Sequence, residues 1–425
     1  MKRLNVGLVG AWNRNAGDRA LQAAVIQQVN PRGVAVEWWC MDCQERFFDP
    51  GTVANLGRKL DAVIVGPGGL LWNRPGTDPV SGWQWNIPTD VLRDDWRIPF
   101  AVYGIGTSVM PYGDTTVEHP EIRRNLEICL AKAVRFSVRL PEVKVWMEKE
   151  LGLDVSRVTV ASDPTLGLKV FRPWRPDQID MAEGEQGGDA MLWREDRLTI
   201  GVSLATDKPE RRFEDGFGGM FRMVSALGAA LQKVVEETDA QVVFIPHIAE
   251  IDRWAVQLLK DSYLGARIIS TEDFCPGLYR PMGMRNAMTL AGLYERFDAV
   301  VGGRKHALWL AARAAVPAVA LGEMKDVEWT ANALGFNRFP NVPEEGEELW
   351  VKVAAETIGK MAMVGQMGGW KRRYNEGRTY CSTSPPTREQ ADPLGRRDPV
   401  LALVEAAQED AAALSQWLRE EVCER

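Results

Sequence analysis

A chain of 425 residues is long enough for two domains of ordinary size, each with its own core. Hydrophobic content of 45% and charged content of 26% are globular values that exclude wholesale disorder, and a net charge of -7 argues against a nucleic-acid partner while leaving room for a local basic cleft. Of the six Cys only Cys40 and Cys43 are close in sequence, with no His at ligand spacing; the pattern reads as free thiols in a reducing compartment, and no metal site is expected. The opening MKRLNVGLVG is basic and then apolar, but its apolar run is too short and broken for a signal peptide. No window reaches the roughly 18 uninterrupted apolar residues of a membrane span, so a cytoplasmic location is expected.

Leu4–Val9 is a short apolar run ending in Gly10 and reads as a buried first strand. Beyond it Leu21, Val25 and Val29 share one helical face, and Asn15-Ala16-Gly17-Asp18 sits where strand turns into helix. A strand, a Gly turn and a helix open doubly wound sheets, although no GxGxxG is present. Asp18 suits an N-cap, and Asn15 and Gly17 suit the turn itself or the lining of a cleft. Further strands are predicted at Ala62–Val65, Pro99–Tyr103, Val134–Val138 and Val158–Ala161. Each ends in residues of special chemistry: Gly66-Pro67-Gly68-Gly69, Gly104-Ile105-Gly106, Arg139, and Asp163-Pro164. Ligands of open parallel sheets bind beyond the carboxyl ends of the strands, which makes Gly68, Gly69, Gly106, Arg139 and Asp163 candidates. For Arg139 the alternative is a pairing with a neighbouring carboxylate, and for Asp163 the start of a turn.

The loop between the second and third of these strands carries Trp72, Trp83, Trp85 and Trp96 in a chain with 16 Trp. Aromatic faces pack against the C–H face of sugars, so Trp72 and Trp85 either offer a sugar platform or the loop folds over the domain and buries its own rings. Residues 171–197 mix Pro, Gly and charge without periodicity and read as a linker. A second strand–helix series follows, with strands at Leu198–Leu204, Gln241–Ile245, Arg267–Ser270 and Ala299–Val301. His247 lies just past the second of them, as a packed side chain or a cleft residue. The fold class is therefore α/β, with two sheets facing each other: residues 1–170 form the first domain, 198–345 the second, and 346–425 a helical tail. In the tail Val400, Val404, Ala407, Ala411, Leu414 and Leu418 form a one-sided apolar seam after Asp398 and Pro399. It packs across the first domain or against a neighbouring subunit, which leaves a homo-oligomer open.

The stretch VVGGRKHALWLAARAAVPAVAL, residues 300–321, reads as strand, Gly-Gly turn, helix and strand. Arg304, Lys305 and His306 crowd the helix start, where unpaired N–H groups already carry partial positive charge and each cation costs about 0.3–1 kcal/mol. Either these are solvated basic residues or they, with the helix pole, hold an anion.

In order along the chain, NAGD (15–18), GPGGL (66–70), YGIG (103–106), SVR (137–139), SDP (162–164) and GRKHA (303–307) resemble the motifs of the polysaccharide pyruvyl transferase family, over roughly residues 5–321. Pro67 interrupts the family's plain glycine triplet, and Lys305 replaces the apolar residue usual between its Arg and His. The resemblance implies two facing Rossmann-like domains in the manner of the GT-B glycosyltransferases. It also implies transfer of the enolpyruvyl group of phosphoenolpyruvate, a co-substrate, onto two hydroxyls of a sugar or glycan, forming a ketal and releasing phosphate. No other cofactor and no metal are implied. His306 would act as general acid on the vinyl methylene. Arg304, with Arg139 and Lys305, would hold the phosphate and carboxylate, and Asp18 or His247 would receive the acceptor's proton. The alternative is a nucleotide-sugar glycosyltransferase of the same architecture, in which Arg304 and His306 grip a diphosphate; a catalytically idle scaffold is a third reading.

Overall fold

The computed structural model describes residues 2–12, 15–43, 48–72, 80–108, 119–170, 197–274, 284–367 and 397–423. The first sheet comprises β1 (Lys2–Gly10), β2 (Val34–Asp42), β3 (Ala62–Val65), β4 (Gly68–Leu71), β5 (Phe100–Thr107), β6 (Phe136–Val138) and β7 (Val158–Val160). Its order is β2-β1-β3-β5-β6-β7, with β4 paired to the far end of β5. The second sheet comprises β8 (Thr199–Ser203), β9 (Gln241–Phe244), β10 (Ile268–Ser270), β11 (Ala299–Gly302), β12 (Ala318–Leu321) and β13 (Asn337–Phe339), in the order β10-β9-β8-β11-β12-β13. Every pairing in both sheets is parallel. Parallel neighbours need helical crossovers that cover both faces, which is why β3, β5 and β8 are buried at every residue. The strand order reverses between β1 and β3 and between β8 and β11. Those two switch points, where helices leave on opposite faces, open a crevice at each sheet's carboxyl end. The molecule is thus two Rossmann-like lobes.

Four strands differ from the sequence reading. β2 (VAVEWWCMD) is an edge strand with mixed exposure, so it lacks the continuous apolar run that marks a buried parallel strand. β13 is three residues long and mostly exposed. β4 begins inside the Gly-rich stretch taken for a turn: Gly66 and Gly68 adopt φ of 114° and 141°, and the chain then re-enters the sheet beside Ile105 and Thr107. β5 likewise runs through Gly104 and Gly106 instead of ending before them. Of the linker expected at 171–197, only Arg197 falls within the described residues. Cys40 and Cys43 are free thiols, Cys40 exposed and Cys43 buried, and burial, with the charges of Asp42 and Asp18 behind it, raises the Cys43 pKa.

The lobes are joined by a continuous apolar core. The helix Ala16–Gln28 contributes Ala20, Ala23 and Ala24, and second-lobe helices bring Leu290, Ala291, Leu308 and Trp309 to the same cluster. The expected tail divides. Helix Glu347–Met367 puts Trp350, Val351, Ala354 and Ile358 into the core of the second lobe. Helix Arg397–Trp417 lays Ala411, Leu414 and Trp417 against Leu4, Val6 and Leu8 of the first. There Asp410 accepts hydrogen bonds from Arg135 and from Ser137 Oγ at 2.6 Å. Among the described residues no helix is long and apolar enough to cross a membrane.

The Trp-rich loop resolves in favour of burial. Trp85 is 0% exposed and meets Trp83, Trp96 and Phe48 edge to face at 5.8, 5.2 and 6.2 Å. Its expected role as a sugar platform is overturned, because an aromatic ring enclosed by other rings has no free face. Trp85→Ala should cost about 3–5 kcal/mol of stability, the usual penalty for emptying a large aromatic site, read as a lowered denaturant midpoint.

Candidate active site

The first lobe supplies one wall from the carboxyl ends of its strands. After β1, Asn15 caps the helix Ala16–Gln28 by accepting from Gly17 N–H at 2.9 Å; the N-cap is therefore Asn15, and Asp18 lies within the first turn. After β6 and β7, Arg139 Nη1 donates to Asp163 Oδ2 at 3.0 Å, both side chains being almost fully buried. Asp163 also accepts from Thr165 N–H at 3.0 Å, so both bland alternatives for this pair hold together: a turn start and an ion pair. Gly106 makes the pairing feasible, since a Cβ there would stand 2.6 Å from Arg139 Nη2. Gly69 faces across the crevice: its Cβ would lie 2.8 Å from Ser108 Oγ and 3.0 Å from Lys305 Nζ. A Cβ on Gly68 would meet only Leu70, at 3.5 Å, so Gly68 takes its place for backbone conformation.

The second lobe supplies the other wall from β11 and the helix Lys305–Arg313. Here the charge arrangement corrects the sequence reading. Arg304, expected to grip a ligand, turns inward. Its Nε donates to Leu204 C=O at 3.0 Å, its Nη2 to Asp252 at 2.8 Å, and its Nη1 lies 2.9 Å from Asp207. Burial penalises the guanidinium, but Asp252 and Asp207 outweigh that and raise its pKa. With its fork engaged by protein carboxylates, Arg304 anchors the helix start instead of meeting a ligand. Asp252 is the hub, accepting also from Thr206 Oγ1 at 2.7 Å and from the His247 and Ile248 N–H groups at 3.1 Å each.

Lys305 and His306, one and two residues on, face the first lobe. Lys305 Nζ donates to Asp326 at 2.8 Å; burial, and behind it the charge of Arg139, lowers its pKa, while Asp326 partly restores it. Asp326 Oδ1 is buried without a hydrogen-bond partner among the described residues. The His306 ring lies on the start of the first-lobe helix: a Cβ on Gly17 would fall 2.4 Å from its Nδ1. His306 Nε2 is buried, has no hydrogen-bond partner among the described residues, and stands 3.9 Å from Asp18 Oδ1, too far for a hydrogen bond. Burial first, then the charges of Lys305, Arg139, His247 and Arg304, hold His306 well below its ordinary pKa, so its imidazole is neutral at pH 7.

The expected residues therefore separate. Gly17, Asp18, Gly69, Gly106, Arg139, Lys305 and His306 come together from both lobes, with Asn15 and Asp163 as supports. Trp85 and Arg304 are in the interior. His247 is fully enclosed, its Nε2 3.2 Å from Tyr294 Oη, which removes it as a base for a substrate hydroxyl. Trp72 sits at the lobe boundary, with Lys208 of the second lobe 3.9 Å above its ring centre. Sequence reasoning missed Asp207, Asp252 and Asp326. Isolated acidic residues past strand ends look like helix caps, and only the fold brings them to Arg304 and Lys305.

This two-lobed crevice coincides with a family match. Residues 15–323, from the first helix cap to the turn beyond β12, match the model for polysaccharide pyruvyl transferases. The chain belongs to the polysaccharide pyruvyl transferase family. It is accordingly a transferase, and the resemblance in the motifs is confirmed. No curated protein sequence matches it. In fold it is similar to the UDP-GlcNAc 2-epimerase of Methanocaldococcus jannaschii solved with UDP-GlcNAc and UDP, at 10% identity over 86% of this chain and 99% of that one, TM-score 0.47. A putative UDP-N-acetylglucosamine 2-epimerase from Listeria monocytogenes is similar at 13% identity over 88% and 98%, TM-score 0.49.

Two predictions follow from the electrostatics of this pyruvyl transferase family member. Arg304→Met leaves Asp252 and Asp207 facing each other without their shared cation and should cost about 3–5 kcal/mol, seen as a lowered denaturation midpoint. His247, lowered to about 3 by burial and then by Arg304, stays neutral in the native state at pH values where the unfolded chain binds a proton. The unfolded state thus binds more protons between about pH 6.5 and 3, so stability falls as pH drops through that window, by up to about 1.4 kcal/mol per unit. His247→Asn should shrink the difference in urea midpoint between pH 7.5 and pH 5.5.

Proposed function

We propose that the crevice transfers the enolpyruvyl group of phosphoenolpyruvate to two hydroxyls of a glycan acceptor, forming a cyclic ketal and releasing phosphate. The observation that carries this reading is His306 Nε2: buried, unpartnered among the described residues and 3.9 Å from Asp18, where the two lobes meet inside the family-matched segment. Unpartnered buried polar atoms in clefts mark reacting centres.

Lys305 and Arg139 converge over Gly69, and the N–H groups of the helix start add partial positive charge on the same side. Both cations already have carboxylate partners, so donor binding exchanges Asp326 for a donor oxyanion at Lys305 Nζ. The arriving negative charge also raises the His306 pKa, which lets the neutral ring take up the proton it must deliver. His306 then protonates the methylene carbon, and positive charge develops at the adjacent carbon bearing phosphate. One acceptor hydroxyl adds there, losing its proton to Asp18. The C–O bond to phosphate breaks, and the second hydroxyl closes the ring as its proton is lost. One proton enters at the methyl group and two leave the hydroxyls; the net proton accompanies phosphate. The reaction balances without a resident cofactor. We place it in a reducing cytoplasm, in keeping with the free thiols of Cys43 and Cys129.

The test is phosphate release from phosphoenolpyruvate in the presence of a panel of pyranosides. Wild type should release phosphate only with an acceptor. His306→Gln should bind the donor but turn over about 10²-fold more slowly. Lys305→Met should raise the donor KM by about tenfold, equivalent to about 1.4 kcal/mol. Release of a nucleotide from a sugar nucleotide, with none of phosphate from phosphoenolpyruvate, would replace this reading by glycosyl transfer.

A further inference from the structure

The helix Arg397–Trp417 lies outside the family-matched segment, yet it touches the elements that hold both cations of the crevice. It sets Val404 against the helix Lys325–Leu334, which carries Asp326, the partner of Lys305. It also packs beside Pro164–Gly167, the turn opened by Asp163, the partner of Arg139. Its one buried carboxylate among the described residues, Asp410, is 1% exposed and meets Arg135 and Ser137, on the segment that leads into Arg139.

β5 and β6 fall out of step at this point. Val102 faces Phe136 and Ile105 faces Val138, so three steps along β5 match two along β6. The extra residue makes a bulge, and Gly104 within it takes a φ of 57°. A bulge leaves a backbone group outside the ladder and re-aims the side chains next to it. Here the Gly104 N–H donates to Ser137 Oγ at 3.0 Å. Ser137 has a single hydroxyl proton; because it goes to Asp410 at 2.6 Å, a lone pair is left for Gly104. Just past the bulge, Arg139 N–H donates to Ile105 C=O at 3.0 Å, and the Arg139 guanidinium lies over Gly106. Its Nη1 is taken by Asp163, while its Nη2 faces Gly69. The Cβ position of Gly69 lies 2.8 Å from Ser108 Oγ, 3.0 Å from Lys305 Nζ and 3.9 Å from that Nη2, so three donors gather at one point. Tyr103, beside Gly104, registers the same neighbourhood: burial first, then the charges of Asp410 and Asp163, raise its pKa well above the ordinary value. The tail carboxylate and the partner of Arg139 thus both lie near one phenol.

We propose that Asp410 is a positioning residue for Arg139: by orienting the Ser137 hydroxyl it locks the β5 bulge, and so holds the guanidinium where an oxyanion over Gly69 can meet it. That this oxyanion belongs to phosphoenolpyruvate rests on the proposed function; the coupling of the tail helix to the three donors does not.

The experiment is calorimetric titration of inorganic phosphate into the full-length protein at pH 7.5. Wild type should bind it saturably. Asp410→Asn turns an amide donor toward either Arg135 or Ser137, whereas Ser137→Ala leaves the Asp410–Arg135 pair intact. Each should weaken binding about tenfold while melting cooperatively. Arg139→Lys keeps the charge but not the fork, and in that background Asp410→Asn should cost no more than about a further twofold, since the group it positions is gone. If Asp410→Asn does not fold, Ser137→Ala, alone and with Arg139→Lys, decides. Unchanged affinity in the single variants, the same loss in the Arg139→Lys background, or no saturable phosphate binding by wild type overturns the proposal. Phosphate binding with the expected coupling, but no phosphate release from phosphoenolpyruvate, would remove the pyruvyl-transfer reaction alone. Turnover of phosphoenolpyruvate with the same donor KM in Asp410→Asn as in wild type would remove the positioning role alone.

Discussion

The guanidinium of Arg304, held between Asp252 and Asp207, sets the direction in which the helix Lys305–Arg313 leaves β11. A buried cation with two carboxylates and a carbonyl around it has few alternative positions, because any departure leaves a charge unpaired in a medium that solvates it poorly. The residues that follow inherit that rigidity. Lys305 and His306 are carried across to the first lobe, where Gly17 and Gly69 lack the side chains that would block them. Asp252 ties the same network to the His247 backbone, and the His247 C=O accepts from Ala16 N–H at 3.0 Å. One ion-pair cluster thus fixes the second-lobe helix start and, through a single backbone bond between lobes, the first-lobe helix start opposite it.

Around His306 the competing effects have a clear order. Burial and four neighbouring cationic or titratable groups disfavour its charged form, and Asp18 at 3.9 Å is too distant to reverse that. A general acid must carry a proton when needed, so a neutral resting imidazole serves the proposed chemistry only if the donor brings the compensating charge. Protonation is thereby tied to an occupied site.

Much of the architecture was readable from apolar runs ending in Gly, Arg or Asp, because parallel strands buried on both faces leave that signature. The two-sheet arrangement was legible in this way; that Asp18, Arg139, Lys305 and His306 belong to one site was implied by the resemblance of the motifs that carry them. β2 and β13 were not, since edge strands are only partly buried. Trp85 illustrates a different limit: a Trp in a Pro/Gly-rich loop reads the same whether its face is wet or enclosed. Arg304 shows the sharpest limit. Its position at a helix start suggested an anion, and an anion is there, but it belongs to Asp252 and Asp207, which lie 52 and 97 residues away in sequence. No local pattern announces a partner at that separation.

The most direct test of the central claim is calorimetric titration of phosphoenolpyruvate into the protein at pH 7.5 in buffers of different ionisation enthalpy, with His306→Gln alongside. Saturable binding with net proton uptake approaching one per site is expected in the wild type, with uptake abolished in His306→Gln. Binding with no proton uptake, or with the same uptake in both proteins, would contradict it.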